Sequence, residues 1–120
     1  MYENTVNLVG FVGQVNLYEN EGKKPFAKLT LATTKRFTNK KGERVEKTAW
    51  HTLQCFGHLV EAIKNSVEKG SYLSVSGELE YDEWQTEAGE KRTAAVINVK
   101  NLYRLIDPKR QEWIDQVSNL

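Results

Sequence analysis

Two-residue alternation of apolar and polar side chains recurs in five separate stretches of this 120-residue chain, and one stretch with helical spacing interrupts the series after the third. The clearest is Ala27 to Thr34, whose odd positions read Ala, Leu, Leu, Thr and whose even positions read Lys, Thr, Ala, Thr. Successive side chains of a strand point to opposite faces, so this pattern describes a strand with one side against a core. Val6 to Val15, Ala49 to Phe56, Tyr72 to Trp84 and Arg92 to Leu105 complete the set. Gly10 and Gly13 in the first stretch predict bulges or tight bends of the kind that let a sheet curl on itself. The polar run Thr86 to Glu90, which contains Gly89, joins the last two stretches as a hairpin. Between the third and fourth, Leu59, Val60, Ile63 and Val67 have helical spacing, with Gly70 as the expected stop.

Strand, strand, strand, helix, strand, strand is the element order of the OB fold, so the chain is expected to be all-β: a five-stranded Greek-key barrel with a short helix between strands 3 and 4. One domain suits this length. It is expected over residues 1–106, followed by a short extension over 107–120 in which Arg110 to Val117, carrying Trp113, Ile114 and Val117, forms a further amphipathic helix. Apolar residues at 39% and charged residues at 28% are ordinary for a folded chain and exclude the profile of a disordered one. No apolar run reaches membrane-spanning length, and Met1 to Asn4 do not open a leader, so a cytoplasmic location is expected. Cys55 is the single cysteine, which excludes an intrachain disulfide and a four-cysteine zinc site. No cofactor or metal is expected.

The aromatic residues fall on the wrong side of the alternation. In the third stretch Ala49, His51, Leu53 and Cys55 share one parity, while Trp50 and Phe56 share the other with Thr48, Thr52 and Gln54. In the fourth, Leu73, Val75, Gly77, Leu79 and Tyr81 form the apolar side, and Trp84 lies with Ser74, Ser76, Glu78, Glu80 and Asp82. Large rings on a polar face contribute nothing to a core. They fit a partner with flat apolar faces, as nucleobases have, unless they pack beneath a loop or another subunit. Phe37 would share the parity of Leu29 and Leu31 in an unbroken second strand, which leaves it either a core or a loop aromatic.

Charge is equally uneven. The formal net charge is +1, yet residues 23–47 carry nine Lys or Arg against two Glu, and residues 78–90 carry six acids and no base. Such asymmetry points to a charged partner, or else to two solvated loops of opposite sign.

The ordered blocks Leu8-Val9-Gly10, Leu31-Ala32-Thr33 followed by Phe37, Thr48-Ala49-Trp50-His51 leading to Phe56-Gly57, Leu59-Val60-Glu61, Lys69-Gly70-Ser71, Ser76-Gly77-Glu78-Leu79, and Trp84-Gln85 before Gly89 resemble the bacterial single-stranded DNA-binding protein (SSB) family. The resemblance runs from about Val6 to Val99. It implies base stacking by Phe37, Trp50, Phe56 and Trp84, and phosphate contacts from Lys35, Arg36, Lys40, Lys41, Arg44 and Lys69. It also implies a homo-oligomer, a tetramer or a dimer, that coats single-stranded DNA in the bacterial nucleoid during replication, recombination and repair.

Two features depart from the family pattern. The family usually places bases before the tryptophan of strand four, where this chain reads Glu80-Tyr81-Asp82-Glu83. The sequence also closes at Val117 to Leu120 without the flexible acidic-tipped tail of cellular members. A plasmid or phage-like member is therefore expected. The alternative is an accessory OB protein of the primosome type that acts mainly through protein contacts. An enzyme would have to use His51, Cys55 and His58, but His51 and Cys55 have inward parity, and no nucleophile elbow or phosphate-gripping loop is present. The chain is not expected to be an enzyme.

Overall fold

The structure, a computed structural model, describes residues 1–107 and 109. Five strands and one helix follow in the expected order: β1 (Val6–Tyr18), β2 (Phe26–Thr38), β3 (Arg44–Phe56), α1 (His58–Ser66), β4 (Tyr72–Gln85) and β5 (Lys91–Leu105). The strands close into a barrel in the order β1-β2-β3-β5-β4. All neighbours are antiparallel except β3 and β5, which meet in a short parallel seam at Leu53 with Ile97 and Gln54 with Asn98. The expected five-stranded barrel with its helix between strands 3 and 4 is therefore the observed one. The helix expected over Arg110 to Val117 lies outside the described residues.

The inward parity read from the sequence fills the barrel. Ala27, Leu29 and Leu31 of β2, Leu53 and Cys55 of β3, Leu73 and Val75 of β4, and Ile97 and Val99 of β5 are all buried in one cluster. From α1, Leu59 and Ile63 join it, as does Val67 just beyond the helix. Glu61 in the first turn of α1 and Lys64 in the last suit its dipole. The helix stops earlier than expected: Val67 is already extended, and its N–H donates to the Ile63 carbonyl at 2.9 Å. Gly70, the expected stop, lies in the following turn instead. There its N–H donates to the Val12 carbonyl at 2.8 Å, while the Val12 N–H donates to the Ser71 carbonyl at 2.9 Å.

That exchange is possible because β1 changes partners. It pairs with β4 over Val6–Phe11 and with β2 over Phe11–Tyr18, and its register slips between Val12 and Gln14. The bulge is thus at Gly13. Gly10 stays in register opposite Leu73, but a Cβ there would run into the Ala32 carbonyl oxygen, so it serves as a close-approach position rather than a bulge.

Every strand runs past the end its apolar pattern suggested or meets it within a residue. β2 and β3 continue as a paired ribbon to Thr38 opposite Arg44, closed by a turn in which Asn39 Oδ1 accepts from the Lys41 and Glu43 N–H groups, both at 2.9 Å. β4 and β5 continue past Leu79 and Ile97 to Gln85 opposite Lys91. Beyond the barrel there is no core for either face to meet. Tyr81, expected on the apolar side, has that parity but is 64% exposed for this reason.

His51 and Cys55 differ in depth despite their shared parity. His51 is half-buried at the barrel mouth, with its Nε2 2.8 Å from Thr33 Oγ1. Cys55 is fully buried, and desolvation pushes its thiol up to about 12. A thiol held so firmly in its protonated form is no nucleophile at neutral pH. It should resist alkylation in the folded protein and react fully once the chain is unfolded, as mass spectrometry would read. The folded state keeps this proton up to about pH 12, whereas an unfolded thiol loses it near 9. Stability relative to Cys55→Ala should therefore fall as pH rises from about 9, measured by denaturant titration.

Candidate nucleic-acid interface

The outward faces of β1, β2 and β3 form one surface whose rows follow directly from the strand register. Trp50 stands opposite Ala32, Thr52 opposite Thr30, Gln54 opposite Lys28, and Phe56 opposite Phe26. On β1 the last three rows continue with Gln14, Asn16 and Tyr18. Trp50 and Phe56 point outward as their parity requires, and they are 62% and 46% exposed. Neither is covered by a loop.

Trp50 lies over the β1 bulge. A Cβ on Gly13 would collide with the six-membered part of the indole and with Thr30 Oγ1. Thr30 Oγ1 in turn accepts the Gln14 N–H at 2.9 Å, so the irregular backbone at the bulge remains satisfied. Gly13, Gln14, Thr30, Trp50 and Lys69 line one shallow cleft, which brings Lys69 from the turn before β4 to the edge of the ring. Six residues along β3, a distance of roughly 20 Å, Phe56 ends a row of three rings with Phe26 and Tyr18. Lys28 lies in the adjacent row. The sequence reading did not single out Tyr18, Phe26 or Lys28. Phe26 and Lys28 have the outward parity opposite to Ala27, so both were legible. Tyr18 lay past the expected end of β1.

The remaining expected residues lie on the two ribbons. Phe37, 39% exposed, faces Val45 on the side of the β2–β3 ribbon that continues from Leu29 and Leu31, opposite to that of Trp50 and Phe56. The ribbon therefore divides the set expected to stack. Lys35 Nζ sits 5.6 Å from the Phe37 ring centroid, within cation–π range. Lys35 also stands directly opposite Lys47, an unfavourable like-charge pair unless an anion lies near it. Arg36 and Arg44 share a shallow groove with Phe37, Val45 and Glu46. Arg36 is not a free cation here, since Glu46 holds its Nε at 3.3 Å, but an exposed pair of this kind contributes little and exchanges readily. Lys40 and Lys41 are exposed at the tip.

Trp84, 49% exposed, pairs across the β4–β5 ribbon with Arg92 and shares a cleft with Glu83, Gln85 and Lys91. The ribbon is thus less uniformly acidic than its run of carboxylates implied. Glu80 accepts from Asn98 Nδ2 at 3.1 Å, Asp82 accepts from Gln54 Nε2 at 2.8 Å, and Glu90 pairs with Arg92 at 2.7 Å. The Glu80 bond joins β4 to its antiparallel neighbour β5, whereas the Asp82 bond reaches from β4 past β5 to β3, so Asp82 helps close the barrel across the parallel seam. Lys91, one residue past the acidic run, supplies the cation beside Trp84. His58 is exposed at the start of α1, and no cluster of three potential metal ligands occurs among the described residues.

Residues 3–105 match the model of the Single-strand binding protein family. The chain is similar in structure to the SSB of Plasmodium falciparum, solved in complex with single-stranded DNA, at TM-score 0.80 and 24% identity over 88% of this chain and 97% of that one. It is also similar to a deletion variant of the single-stranded DNA binding protein of Thermus aquaticus, at TM-score 0.75 and 26% identity over 88% of this chain and 52% of that one. A small single-stranded DNA-binding protein of Streptomyces coelicolor aligns at TM-score 0.68 and 23% identity over 92% of this chain and 99% of that one.

The dependence of Trp50 on the bulge is open to test. Gly13→Val should push the indole off the sheet and increase acrylamide quenching of tryptophan fluorescence. Because the ring can swing into solvent, the stability cost should be about 1 kcal/mol, the low end for overpacking.

Proposed function

The chain belongs to the Single-strand binding protein family, and on that premise we propose that it binds single-stranded DNA without regard to sequence, by stacking bases on Trp50, Phe56, Trp84 and Phe37. The observation that carries this reading is that a ring and a cation share each of three separate clefts: Trp50 with Lys69, Trp84 with Lys91, and Phe37 with Arg36 and Arg44. A ring takes the face of any base, and a Lys or Arg takes the neighbouring phosphate. Neither reads a base edge, so the combination has no sequence code. It requires bases that are not already paired. Lys35, facing Lys47, and the tip residues Lys40 and Lys41 would extend the phosphate track along the β2–β3 ribbon. The chain performs no chemistry on the strand in this reading; it covers and protects it during replication, recombination and repair in the bacterial cytoplasm. No helix among the described residues is long and apolar enough to cross a membrane.

An apolar patch across β5, β4 and β1 supports self-association. Two outward rows cross β5, β4 and β1 there: Leu105, Tyr72 and Phe11 in one, and Tyr103, Ser74 and Val9 in the next. Val9, Phe11, Tyr103 and Leu105 are exposed, and Phe11 and Tyr72 touch with ring centroids 4.6 Å apart. An apolar patch of this kind, whose edge at Phe11 shares an outward row with Ala32 and Trp50, suits a second copy of the same chain in a symmetric dimer, and two dimers in a tetramer.

Two measurements test these readings. Trp50→Ala should weaken oligo-dT binding by about 5- to 150-fold, the range for loss of one stacked base, with an unchanged far-ultraviolet circular dichroism spectrum. Wild type should saturate poly-dT in moderate salt and prefer it widely over blunt duplex. Failure to saturate would instead favour an accessory protein acting through protein contacts. Separately, Tyr103→Glu, on the β5 side of the patch, should lower the particle mass in light scattering while leaving the barrel folded.

A further inference from the structure

Tyr18, Phe26 and Phe56 stand side by side across β1, β2 and β3 on the outward face. The Tyr18 and Phe26 rings are 4.6 Å apart between centroids with planes 13° from parallel, and Phe26 and Phe56 are 5.8 Å apart at 29°. Three rings in this arrangement form a short segment of aromatic stack. None of them belongs to the core cluster, so the row is not part of the barrel's interior packing. Phe26 is covered on both faces by its neighbours and has none left for a ligand. The stack therefore has two usable ends, the far face of Phe56 and the far face of Tyr18.

The Tyr18 end is open. β1 pairs with β4 only as far as Phe11, so at Tyr18 the strand has β2 on one side and no strand on the other. Tyr18 is 40% exposed. Cations surround this end: Lys28 occupies the adjacent outward row, and Lys23 and Lys24 lie exposed in the β1–β2 connection. Lys28 has no ion-pair partner among the described residues. Asp82 reaches this row but is bound by Gln54, which stands opposite Lys28, and of the two acids in the β1–β2 connection Glu19 is held by Lys64 at 3.4 Å, which leaves Glu21.

We infer that Tyr18, supported by Phe26, is a further base-stacking position of this chain, at which the bound strand continues past Phe56 and stacks a base on the free face of Tyr18 with its phosphates toward Lys28, Lys23 and Lys24. Phe26 acts as a positioning residue that holds both end rings upright and parallel. This inference rests on the single-stranded DNA reading, which supplies the occupant. A strand following β3 from Trp50 to Phe56 is carried sideways over the row toward the β1–β2 connection, which lengthens its track without any contribution from the two ribbons.

The test uses dT oligomers of increasing length with wild type, Trp50→Ala, Tyr18→Leu and Tyr18→Trp, reading both affinity and the nucleotides covered per protein at saturation. Leu at position 18 keeps apolar contact with Phe26 but removes the stacking face. Tyr18→Leu should match wild type on the shortest oligomers bound and fall about tenfold behind on longer ones, covering fewer nucleotides. Tyr18→Trp should bind the longer oligomers at least as well as wild type. Ultraviolet cross-linking followed by peptide mass spectrometry should place thymine on Tyr18. Wild-type behaviour of Tyr18→Leu at every length, beside a weakened Trp50→Ala, would overturn the inference and leave the single-strand reading standing. An equal loss at all lengths with a lowered melting temperature would make Tyr18 a structural residue and overturn it too. Unaltered binding by Trp50→Ala would remove the underlying reading itself.

Discussion

The change of partner within β1 is the constraint from which most of this molecule follows. A five-stranded sheet closes only if one strand serves both edges, and here β1 hands over from β4 to β2 within the segment from Phe11 to Gln14. The handover requires close backbone approach at Gly10, which a side chain would obstruct, and an extra residue at Gly13, where a side chain would instead meet the Trp50 ring and Thr30 Oγ1. It also frees the Val12 N–H and carbonyl to hold the turn that follows α1, which fixes where β4 begins and where Lys69 lies. The empty space above Gly13 then becomes the floor under Trp50. The bulge that accompanies barrel closure thus also seats the principal exposed ring.

Parity was the legible quantity, and it stayed legible as long as a strand had a core on one side. Leu29, Leu31, Leu53, Leu73 and Val75 went inward and Trp50 and Phe56 outward, as the two-residue period requires. Strand ends were not legible, because apolar alternation reports burial rather than pairing. From Lys35 to Thr38 and from Arg44 to Lys47 the chain is still fully paired, but with nothing beneath it the sequence there is free to be charged. The same reason places Tyr81 in solvent and hid Tyr18 as a strand residue. Phe37 shows the limit most clearly. Its parity is that of the core, yet it lies beyond the core, and only the register of the ribbon reveals that it faces away from Trp50 and Phe56.

Charge along the sequence was informative about the basic ribbon and misleading about the acidic one. A count over residues 78–90 treats six carboxylates alike, whereas Glu80 is bound by Asn98 on the neighbouring β5, Asp82 by Gln54 across the β3–β5 seam, and Glu90 by Arg92. That seam has only two paired positions, so the Gln54–Asp82 hydrogen bond supplements a short backbone ladder. These acids thus have a structural task that a charge count cannot detect. On the other ribbon the reverse holds: Lys35 facing Lys47 is a pairing that packing alone would disfavour, and it is reasonable only where an anion is expected.

Rings and cations make different demands of the fold. An exposed Lys or Arg is effective from a flexible side chain, because Coulomb attraction varies slowly with distance and is screened over about 8–10 Å at ordinary salt. It can therefore sit on a tip or ribbon, as Lys40 and Lys41 do. Stacking contributes about 1–3 kcal/mol per base only when the ring plane is held in place, and that requires a rigid support. Trp50 has the closed sheet and Gly13 beneath it, and Phe56 has Phe26 and Tyr18 beside it. In the proposed mode of binding, Trp50 and Phe56 would thus have the rigid support that stacking needs, while Phe37 and Trp84 would stack from the ribbons that also carry the basic side chains. Under that proposal, discrimination between unpaired and paired strands would follow from stacking, since duplex bases have no free faces to offer. Attraction over distance would follow from the charges, and it would weaken with salt while the stacked contacts persisted.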